Sequence, residues 1–331
     1  MMFVWEERVF KIGFSVGMVN FHDGKRTLIE VMRAADDACY VAKKNGRNRI
    51  HVHVLGDHEV SARQVELDWI GRIRSAIDEK RFCMYAQEVA PISALASDED
   101  HHELLVRMLD DNGNLVAPMS FIPAAERFNL MPALDSLIVA ASFEHCAKLF
   151  AAQAPTKKVR WSINLSGASL NDEAFFEFVR TQFALLRIPC DTICFEITET
   201  AAITNFTRAQ QFISEFKRLG CRFSLDDFGS GMSSFAYLKH LPVDYLKIDG
   251  AFIQDILDDP IDRAMVEAIN KVAQLMGIQT IAEYVENNAQ LELLRTIGVD
   301  YAQGFGISRP KLLFMFVDQG AYPKTLRKIP A

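Results

Sequence analysis

Polar and charged residues recur at the ends of apolar, strand-like segments in the second part of this sequence. The runs TICFE, FSLDD and TIAE each finish in a carboxylate, and VRWSIN finishes in an amide. The residues at such ends are Asn164, Glu196, Asp226, Asp227, Lys247, Glu283 and Gln303, and Glu103 opens a further segment, HELLVRML. Carboxylates packed together repel one another, so a cluster of this kind needs cations to be stable.

The donor atoms of these residues indicate the kind of cation. The candidate ligands are carboxylates and an amide, without cysteine or histidine, which favours Mg²⁺ or Mn²⁺ over zinc or copper. The adjacent Asp226 and Asp227 suit two neighbouring ions, and paired ions promote attack of water on phosphodiesters. Lys247 can hold the attacking water or a phosphate oxygen. A single acidic residue at a strand end more often caps a helix or faces solvent, but the repetition at these strand ends favours a shared site.

The elements that carry these residues alternate between strand and helix. Strand-like segments precede helical ones in the pairs VRWSINLS and DEAFFEFVRTQFALL, TICFEIT and TRAQQFISEFKRLG, RFSLDDF and SSFAYLKHL, DYLKIDG and DRAMVEAINKVAQLMG, and QTIAEYV and NAQLELLRTIG. FCMYAQEVAPIS and HELLVRML form an expected strand pair before them, and YAQGFGIS closes the series. This alternation predicts an α/β protein with a parallel sheet, and the number of repeats favours a closed barrel. In such a barrel the carboxyl ends of all strands open on one face.

Residues 1–54 differ in character from the rest. They contain a strand-like run, FKIGFSVGMVNF, a helical segment, TLIEVMRAADDACYVAKKNG, and a second strand, RNRIHVHV. This small α+β piece is too short to bury a core alone. Residues 55–80 are expected to form a helix that links it to the barrel, since their apolar residues recur at helical spacing.

Composition limits the class of protein. The chain has 331 residues, of which 50% are hydrophobic and 24% are charged, with a net charge of −7. This length suggests two domains, or a barrel with an appendage, and this composition excludes a disordered chain, a collagen and a coiled-coil rod. The acidic balance argues against DNA or RNA as a partner. No apolar run is long enough to span a membrane, and the charged N-terminus is not a signal peptide.

Cysteine and histidine give no sign of a zinc site. The six cysteines are scattered without a CxxC pair, and the eight histidines include no HExxH motif. We expect free, buried thiols in a reducing compartment.

The ordered motifs resemble those of the EAL-domain phosphodiesterases, which hydrolyse the bacterial second messenger cyclic di-GMP to linear pGpG. The resemblance covers residues 62–323. It is carried by ELLVR at Glu103–Arg107, NLS at Asn164–Ser166, FEITET, DDFGSG at Asp226–Gly231, LKID, AEYVE and QGFGISRP. It implies a modified TIM (β/α)8 barrel in which one strand runs antiparallel.

The resemblance also implies roles for individual residues. Two ions, Mg²⁺ or Mn²⁺, would be held by Glu103, Asn164, Glu196, Asp226, Asp227 and Glu283. Lys247 matches the lysine that orients the attacking water, Glu199 the glutamate that holds the DDFGSG loop, and Gln303 a supporting residue, so that the catalytic set is Lys247, Glu283, Glu199 and Gln303. The substrate-binding set is Gln87, Leu104, Arg107 and Glu286.

The sequence departs from the family pattern at three positions. Leu104 stands where the family has alanine, Tyr284 where it has glycine, and Glu88 where it has proline. None of these changes removes a metal ligand, so we expect them to affect affinity or pocket shape. Tyr284 brings a large ring beside Glu283.

Residues 1–54 resemble the C-terminal end of a GGDEF (diguanylate cyclase) domain, without its signature loop. This remnant cannot carry cyclase activity, so the chain is expected to be a piece of a longer protein with upstream sensor or GGDEF domains. We expect a cytoplasmic location, either free or as the cytoplasmic part of a membrane-anchored protein.

A homodimer is expected through the face near the DDFGSG loop, which carries Phe235, Tyr237 and Leu238. The alternative is that these side chains pack within their own barrel.

Three functions fit these features. The first is a metal-dependent cyclic di-GMP phosphodiesterase, the second a receptor that only binds the nucleotide, and the third a scaffold that acts through dimerisation. A complete ligand set favours the enzyme, and an acidic cluster without metal would be costly for a scaffold to keep.

Overall fold

A computed structural model describes residues 2–5, 8–11, 14–20, 31, 35, 38, 42, 49–53, 69–93, 96, 99–152, 157–229 and 237–316. The chain forms two compact units, Met1–Arg72 and Ile73–Ala331. No helix among the described residues is both long and apolar enough to cross a bilayer.

The first unit contains two small sheets. Strands β1 (Met2–Trp5) and β2 (Arg8–Lys11) form an antiparallel hairpin, which the sequence did not predict. Strands β3 (Val16–Val19) and β4 (Ile50–His53) pair in parallel. Between them, the described positions 31, 35, 38 and 42 are helical, and Ala38 and Ala42, four residues apart, are buried on one helix face. The predicted order of strand, helix and strand is therefore confirmed.

The second unit is a sheet that curls into a barrel. Its strands are β5 (Phe82–Glu88), β6 (Ala90–Pro91), β7 (Asp100–Leu109), β8 (Leu115–Val116), β9 (Val159–Leu165), β10 (Ile193–Thr198), β11 (Arg222–Phe228), β12 (Tyr245–Ile248), β13 (Gln279–Ala282), β14 (Tyr301–Ala302) and β15 (Lys311–Met315). From β7 through β9 to β14, each strand is parallel to the next in the order β7-β9-β10-β11-β12-β13-β14. This order confirms the predicted α/β barrel.

The antiparallel segment β5–β6 closes the barrel. β5 pairs antiparallel with β7, and β6, only one residue further along the chain, pairs antiparallel with β14 at the other end of the sheet. Val89, between the two, is buried. One nearly continuous segment therefore joins the first and last parallel strands, and it is the single antiparallel strand of the modified TIM barrel. β15 adds outside β5, also antiparallel.

Helices cover the outside of the sheet. They are α1 (Pro118–Arg127), α2 (Met131–Ala152), α3 (Glu173–Leu186), α4 (Glu199–Thr204), α5 (Phe206–Leu219), α6 (Gly250–Gln254), α7 (Pro260–Met276) and α8 (Asn288–Ile297). Helices α5 and α7 end at Gly220 and Gly277, both with positive φ, as expected for glycine after a helix. A helix was also expected over SSFAYLKHL, but its described part is only a 3₁₀ turn, Leu238–His240.

Aromatic packing joins these helices to the strands. Phe212 and Phe216 of α5 contact Phe195 of β10 and Phe223 of β11, with ring centroids 5.6 to 6.0 Å apart. All four are buried. Because these rings pack α5 against β10 and β11, they fix the two strands that carry Glu196 and Asp226. The cysteines Cys83, Cys146, Cys194 and Cys221 are free and buried as expected, Cys190 is free and partly buried, and Cys39 lies outside the described residues.

Candidate active site at the carboxyl ends of the barrel strands

The ammonium of Lys247 lies at the centre of a carboxylate cluster. Lys247 belongs to β12 and is 1% exposed. Its Nζ lies within ion-pair distance of four carboxylates, namely Glu283 at 2.8 Å, Glu196 at 3.0 Å, Asp226 at 3.1 Å and Glu103 at 3.2 Å. The structure therefore brings together side chains that the sequence places as many as 180 residues apart, as expected, although Glu103 lies within β7 and not at its end.

Two amides hold Glu103 in this cluster. Asn164 donates to its Oε1 at 2.7 Å, and Gln303 donates to its Oε2 at 2.6 Å. Strand register explains the neighbours, because Glu196 pairs with Asn164 between β10 and β9. The carboxylate of Glu103 therefore has a fixed orientation within the cluster.

Asp226 and Asp227 are consecutive residues of β11, and the strand is irregular where they lie. The pairing of β11 with β12 shifts register between Leu225 and Phe228, and Asp227 has φ 54°. Asp226 is buried, whereas Asp227 is exposed at the mouth of the barrel. Oxygens of Asp226, Asp227 and Glu283 all lie within 4.8 Å of one another, a spacing that a cation can bridge.

Burial and mutual repulsion shift the acidity of this cluster. Burial raises the pKa of Glu196 to about 8, with Glu103 and Asp226 adding to the effect against the opposing charge of Lys247. Burial likewise raises the pKa of Glu283 well above its usual value, and it raises that of Asp227 to about 6 together with Asp226.

The pKa values of Lys247 and Glu103 are shifted so that both groups stay charged. Burial alone would lower the pKa of the Lys247 ammonium, but the surrounding carboxylates hold it well above its usual value. Burial alone would raise the pKa of Glu103, but Lys247 and the donors Gln303 and Asn164 bring it below its usual value. Lys247 therefore stays charged, and one ammonium balances only part of the surrounding negative charge.

These residues fit divalent cations by their chemistry. The donors are carboxylate and amide oxygens, the type that Mg²⁺ and Mn²⁺ prefer. Asp226 Oδ1 is buried and accepts no directed hydrogen bond from the described residues, although it lies in ionic contact with Lys247. A buried carboxylate oxygen that accepts no hydrogen bond can coordinate a cation.

Glu199 braces the loop that follows β11. It begins α4 and is buried. Its Oε2 accepts from the backbone N–H of Gly229 at 3.0 Å, and its Oε1 accepts from the hydroxyl of Tyr237. Residues 230–236 lie outside the described residues, and Glu199 contacts the described residue on each side of them, Gly229 and Tyr237.

A cavity of about 720 Å³ adjoins the cluster. Its lining includes Leu104, Arg107, Asn164 and Asp227. The guanidinium of Arg107 lies 5.6 Å from the centre of the Tyr85 ring. Arg107 and Leu104, which the sequence predicts to bind substrate, both lie on the wall of this cavity.

Gln87 and Glu286 differ in their relation to the site. Gln87 accepts from Gln303 at 3.3 Å and donates to the carbonyl of Ser308 at 3.0 Å, so it lies next to the cluster. Glu286 is exposed, and its backbone N–H donates to Gln290. No contact between the Glu286 side chain and the cluster is present among the described residues.

The face expected to form a dimer is partly used inside the barrel. Leu238 is buried, and the Tyr237 hydroxyl is directed to Glu199. Phe235 lies outside the described residues.

Asp135 is a site residue that sequence reasoning missed. This buried carboxylate of α2 accepts from the Ser166 N–H at 3.0 Å and from the Ser169 hydroxyl at 2.6 Å. It thereby fixes the turn that follows Asn164, and it lines the same cavity. A lone acid within the apolar run PALDSLIVAA was the available signal.

Comparison with known proteins agrees with this architecture. The sequence model of the EAL domain matches residues 70–310. A cyclic di-GMP phosphodiesterase of Shewanella oneidensis, PdeB, is 38% identical over 321 residues, which cover 94% of this chain and 36% of that protein. The cyclic di-GMP phosphodiesterase PdeF of Escherichia coli is 35% identical over 245 residues, covering 74% of this chain and 32% of that protein. The chain thus spans about a third of the length of these relatives.

Solved structures show the same fold. The FimX EAL domain from Pseudomonas aeruginosa bound to c-di-GMP has a TM-score of 0.68 at 25% identity, covering 76% of this chain and 100% of that one. The c-di-GMP complex of the phosphodiesterase PaMucR has a TM-score of 0.67 at 25% identity, covering 74% and 98%. Since the family match spans most of the chain and the barrel matches solved EAL domains, the chain belongs to the EAL domain family.

Proposed function

We propose that this chain is a phosphodiesterase that hydrolyses cyclic di-GMP to linear pGpG with two Mg²⁺ or Mn²⁺ ions. The observation that carries the proposal is the buried Lys247 among four carboxylates at the mouth of the barrel, beside a cavity of about 720 Å³. The names of the relatives and the ligand in the structural neighbours support cyclic di-GMP as the substrate.

The ligands divide into two overlapping sets. The first ion would be held by Glu103, Asn164, Glu196 and Asp226, and the second by Asp226, Asp227 and Glu283. When bound, such ions supply an activated water and stabilise negative charge on the phosphoryl oxygens. The spacing within 4.8 Å of oxygens from Asp226, Asp227 and Glu283 supports the second set.

The remaining residues of the site bind and orient. Lys247, held charged by its neighbours, would donate to the attacking water or a phosphate oxygen. Arg107, on the cavity wall, would give a charge-assisted contact to phosphate. Gln303 fixes Glu103 through its amide, and Gln87 continues this row of polar groups. Leu104 would provide an apolar contact to the nucleotide, and Glu286 would contact it only from the rim.

We also propose a division of the chain into domains. Residues 1–54 would be the remnant of a GGDEF domain, residues 55–80 a linker helix and residues 62–323 the EAL phosphodiesterase domain. The described residues 69–78 are helical, which supports the linker. Upstream sensor domains, a homodimer and a cytoplasmic location belong to the same proposal.

The test is product formation. The protein should convert cyclic di-GMP to pGpG with Mg²⁺ or Mn²⁺, as resolved by liquid chromatography, and should not do so in EDTA. Asp226→Asn should lower the rate at least ~10³-fold, because it removes a shared ligand and several kcal/mol of transition-state stabilisation. Glu267→Gln, an exposed carboxylate paired with Arg263 on α7, is the control and should keep the wild-type rate.

Two outcomes would overturn the proposal. Full turnover in chelator, or in Asp226→Asn, would place the chemistry elsewhere. Tight binding of cyclic di-GMP without any pGpG would make the protein a receptor.

A further inference from the structure

Tyr284 combines a bulky side chain with a backbone conformation that favours glycine. Its φ is 54°, and it directly follows Glu283 of the carboxylate cluster. A bulky residue with positive φ is rare and strained, whereas glycine adopts this conformation freely. Backbone strain of this kind concentrates at functional sites.

Hydrogen bonds on both sides hold Tyr284 in this conformation. The Glu283 N–H donates to the carbonyl of Ile248 at 3.3 Å, and the Val285 N–H donates to the carbonyl of Gln303 at 3.0 Å. Val285 is also buried. The chain therefore cannot relax at Tyr284 without breaking contacts of the barrel strands.

The ring of Tyr284 lies directly over Gly250. A Cβ atom at position 250 would lie 2.2 Å from Cδ2 and 2.6 Å from Cγ of Tyr284, which is too close for non-bonded carbon atoms. Only glycine therefore fits beneath the ring. Tyr284 and Gly250 form a matched pair, which fixes the ring in place while Tyr284 remains 59% exposed.

This exposed ring flanks the carboxylate cluster. Asp227 lines the cavity of about 720 Å³, whose lining does not include Tyr284. Tyr284 directly follows Glu283 in the chain, and Gly250 beneath its ring directly follows Asp249, so the ring is carried by the segment that bears a carboxylate of the cluster. The cluster is therefore bordered by a cavity and by a fixed aromatic side chain.

A cyclic dinucleotide carries one base on each side of its phosphodiester ring. This arrangement matches a carboxylate cluster with a cavity on one side and an aromatic ring on the other. We infer that Tyr284 is a substrate-binding residue whose ring stacks on one nucleobase of the bound cyclic dinucleotide, while the other base enters the cavity. This inference rests on the proposed function for the identity of the ligand. Stacking of a base on an aromatic side chain contributes a substantial share of binding and needs the ring, not its hydroxyl.

The test is the dissociation constant of cyclic di-GMP, measured by calorimetry, together with KM and kcat. Tyr284→Ala should bind cyclic di-GMP about tenfold more weakly and raise KM by a similar factor, with a smaller change in kcat. Tyr284→Phe should restore binding to within about twofold of wild type, because it keeps the ring. Glu267→Gln is again the unaffected control, and thermal melts show that each variant is folded.

Gly250→Ala provides a second, independent variant. Its Cβ should displace the ring and weaken binding about as much as Tyr284→Ala does. In the Tyr284→Ala background the same change should have little further effect, because the ring is already gone. Additive losses would show that Gly250 acts independently of Tyr284.

The outcomes separate this inference from the proposed function. Wild-type binding without hydrolysis would refute the phosphodiesterase while the variants still test the stacking. Unchanged affinity in Tyr284→Ala, or an equal loss in Tyr284→Phe, would refute stacking while hydrolysis stands. A wild-type protein that neither binds nor hydrolyses cyclic di-GMP would refute both.

Discussion

At the scale of single residues, the site has an imbalance of charge. One buried ammonium, Lys247, faces four carboxylates. Since like charges in a low-dielectric site cannot all ionise, protons or cations must supply the missing positive charge. The raised pKa values of Glu196 and Glu283 indicate that protons do so without metal. The cluster is therefore a site where cations and protons compete.

This competition makes metal binding depend on pH. The pKa of Asp227 is raised to about 6 and that of Glu196 to about 8, mainly by burial. A carboxyl group with a raised pKa holds its proton at higher pH, so a cation must displace it. We expect the affinity for Mg²⁺ to rise between pH 6 and pH 8, with release of protons on binding.

Calorimetry in two buffers of different ionisation enthalpy measures this proton release directly. Asp227→Asn should release fewer protons near pH 6 than the wild type. A dissociation constant for Mg²⁺ that is independent of pH, with the same heat in both buffers, would contradict this account of the cluster.

Linkage predicts the matching effect on stability without metal. A carboxyl whose folded-state pKa lies above its unfolded value stabilises the fold below the unfolded value, and loses that contribution as pH rises through the folded value. For Glu196 this window runs from the ordinary glutamate pKa, 4.5, to about 8. Thermal melts in EDTA should therefore show falling stability across this range, and added Mg²⁺ should reverse the fall.

At the scale of elements, the alternation of strands and helices was readable from the sequence, but strand register was not. Apolar runs that end in Glu196, Asp226 and Lys247 predicted both the parallel strands and the shared face. The closure through β5 and β6 depends on pairing with β14 more than 200 residues later. The residue type of Asp227 gives no sign of its left-handed backbone, whereas at Tyr284 the glycine of the family pattern was the available signal.

The contacts of Glu199 with Gly229 and Tyr237 predict an effect of mutation on stability and on metal affinity. Tyr237→Phe removes a hydroxyl that donates to a buried carboxylate, and such a hydrogen bond to a charged group contributes about 1.5–3 kcal/mol. We expect a loss of stability of this order. Metal affinity should also fall, because the loop after Asp226 and Asp227 is freed at one end.

Tyr245→Phe is the matched control, since Tyr245 is buried at the start of β12, near His101 and Tyr301. Its metal affinity should equal that of the wild type. Equal metal affinity in Tyr237→Phe and Tyr245→Phe would show that the contact between Tyr237 and Glu199 does not affect metal binding. Denaturant titration and Mg²⁺ calorimetry provide both measurements.

At the scale of the whole molecule, the chain combines an EAL barrel with a small α+β unit. The matched region covers only about a third of these relatives, which therefore contain many residues outside it. Sequence patterns predicted the strand, helix and strand of the first unit. They missed the hairpin of β1 and β2, because short strands with mixed residues carry little periodic signal.

Dimerisation would connect the proposed upstream domains to the site. The proposed face lies next to the loop after Asp226 and Asp227, so packing against a second copy could set the position of these ligands. We expect light scattering to show a dimer and specific activity to fall as the protein is diluted. A monomer with constant specific activity would contradict both the dimer and this route of regulation. The burial of Leu238 within its own barrel makes the experiment a stringent one.

The central claim is that the carboxylate cluster around Lys247 directs water onto a cyclic dinucleotide. The most direct measurement is mass spectrometry of the product formed from cyclic di-GMP in H₂¹⁸O with Mg²⁺. We predict linear pGpG carrying one solvent oxygen on its terminal phosphate, and no product in EDTA or in Asp226→Asn. Cyclic di-GMP that is bound but recovered intact and unlabelled would contradict the account.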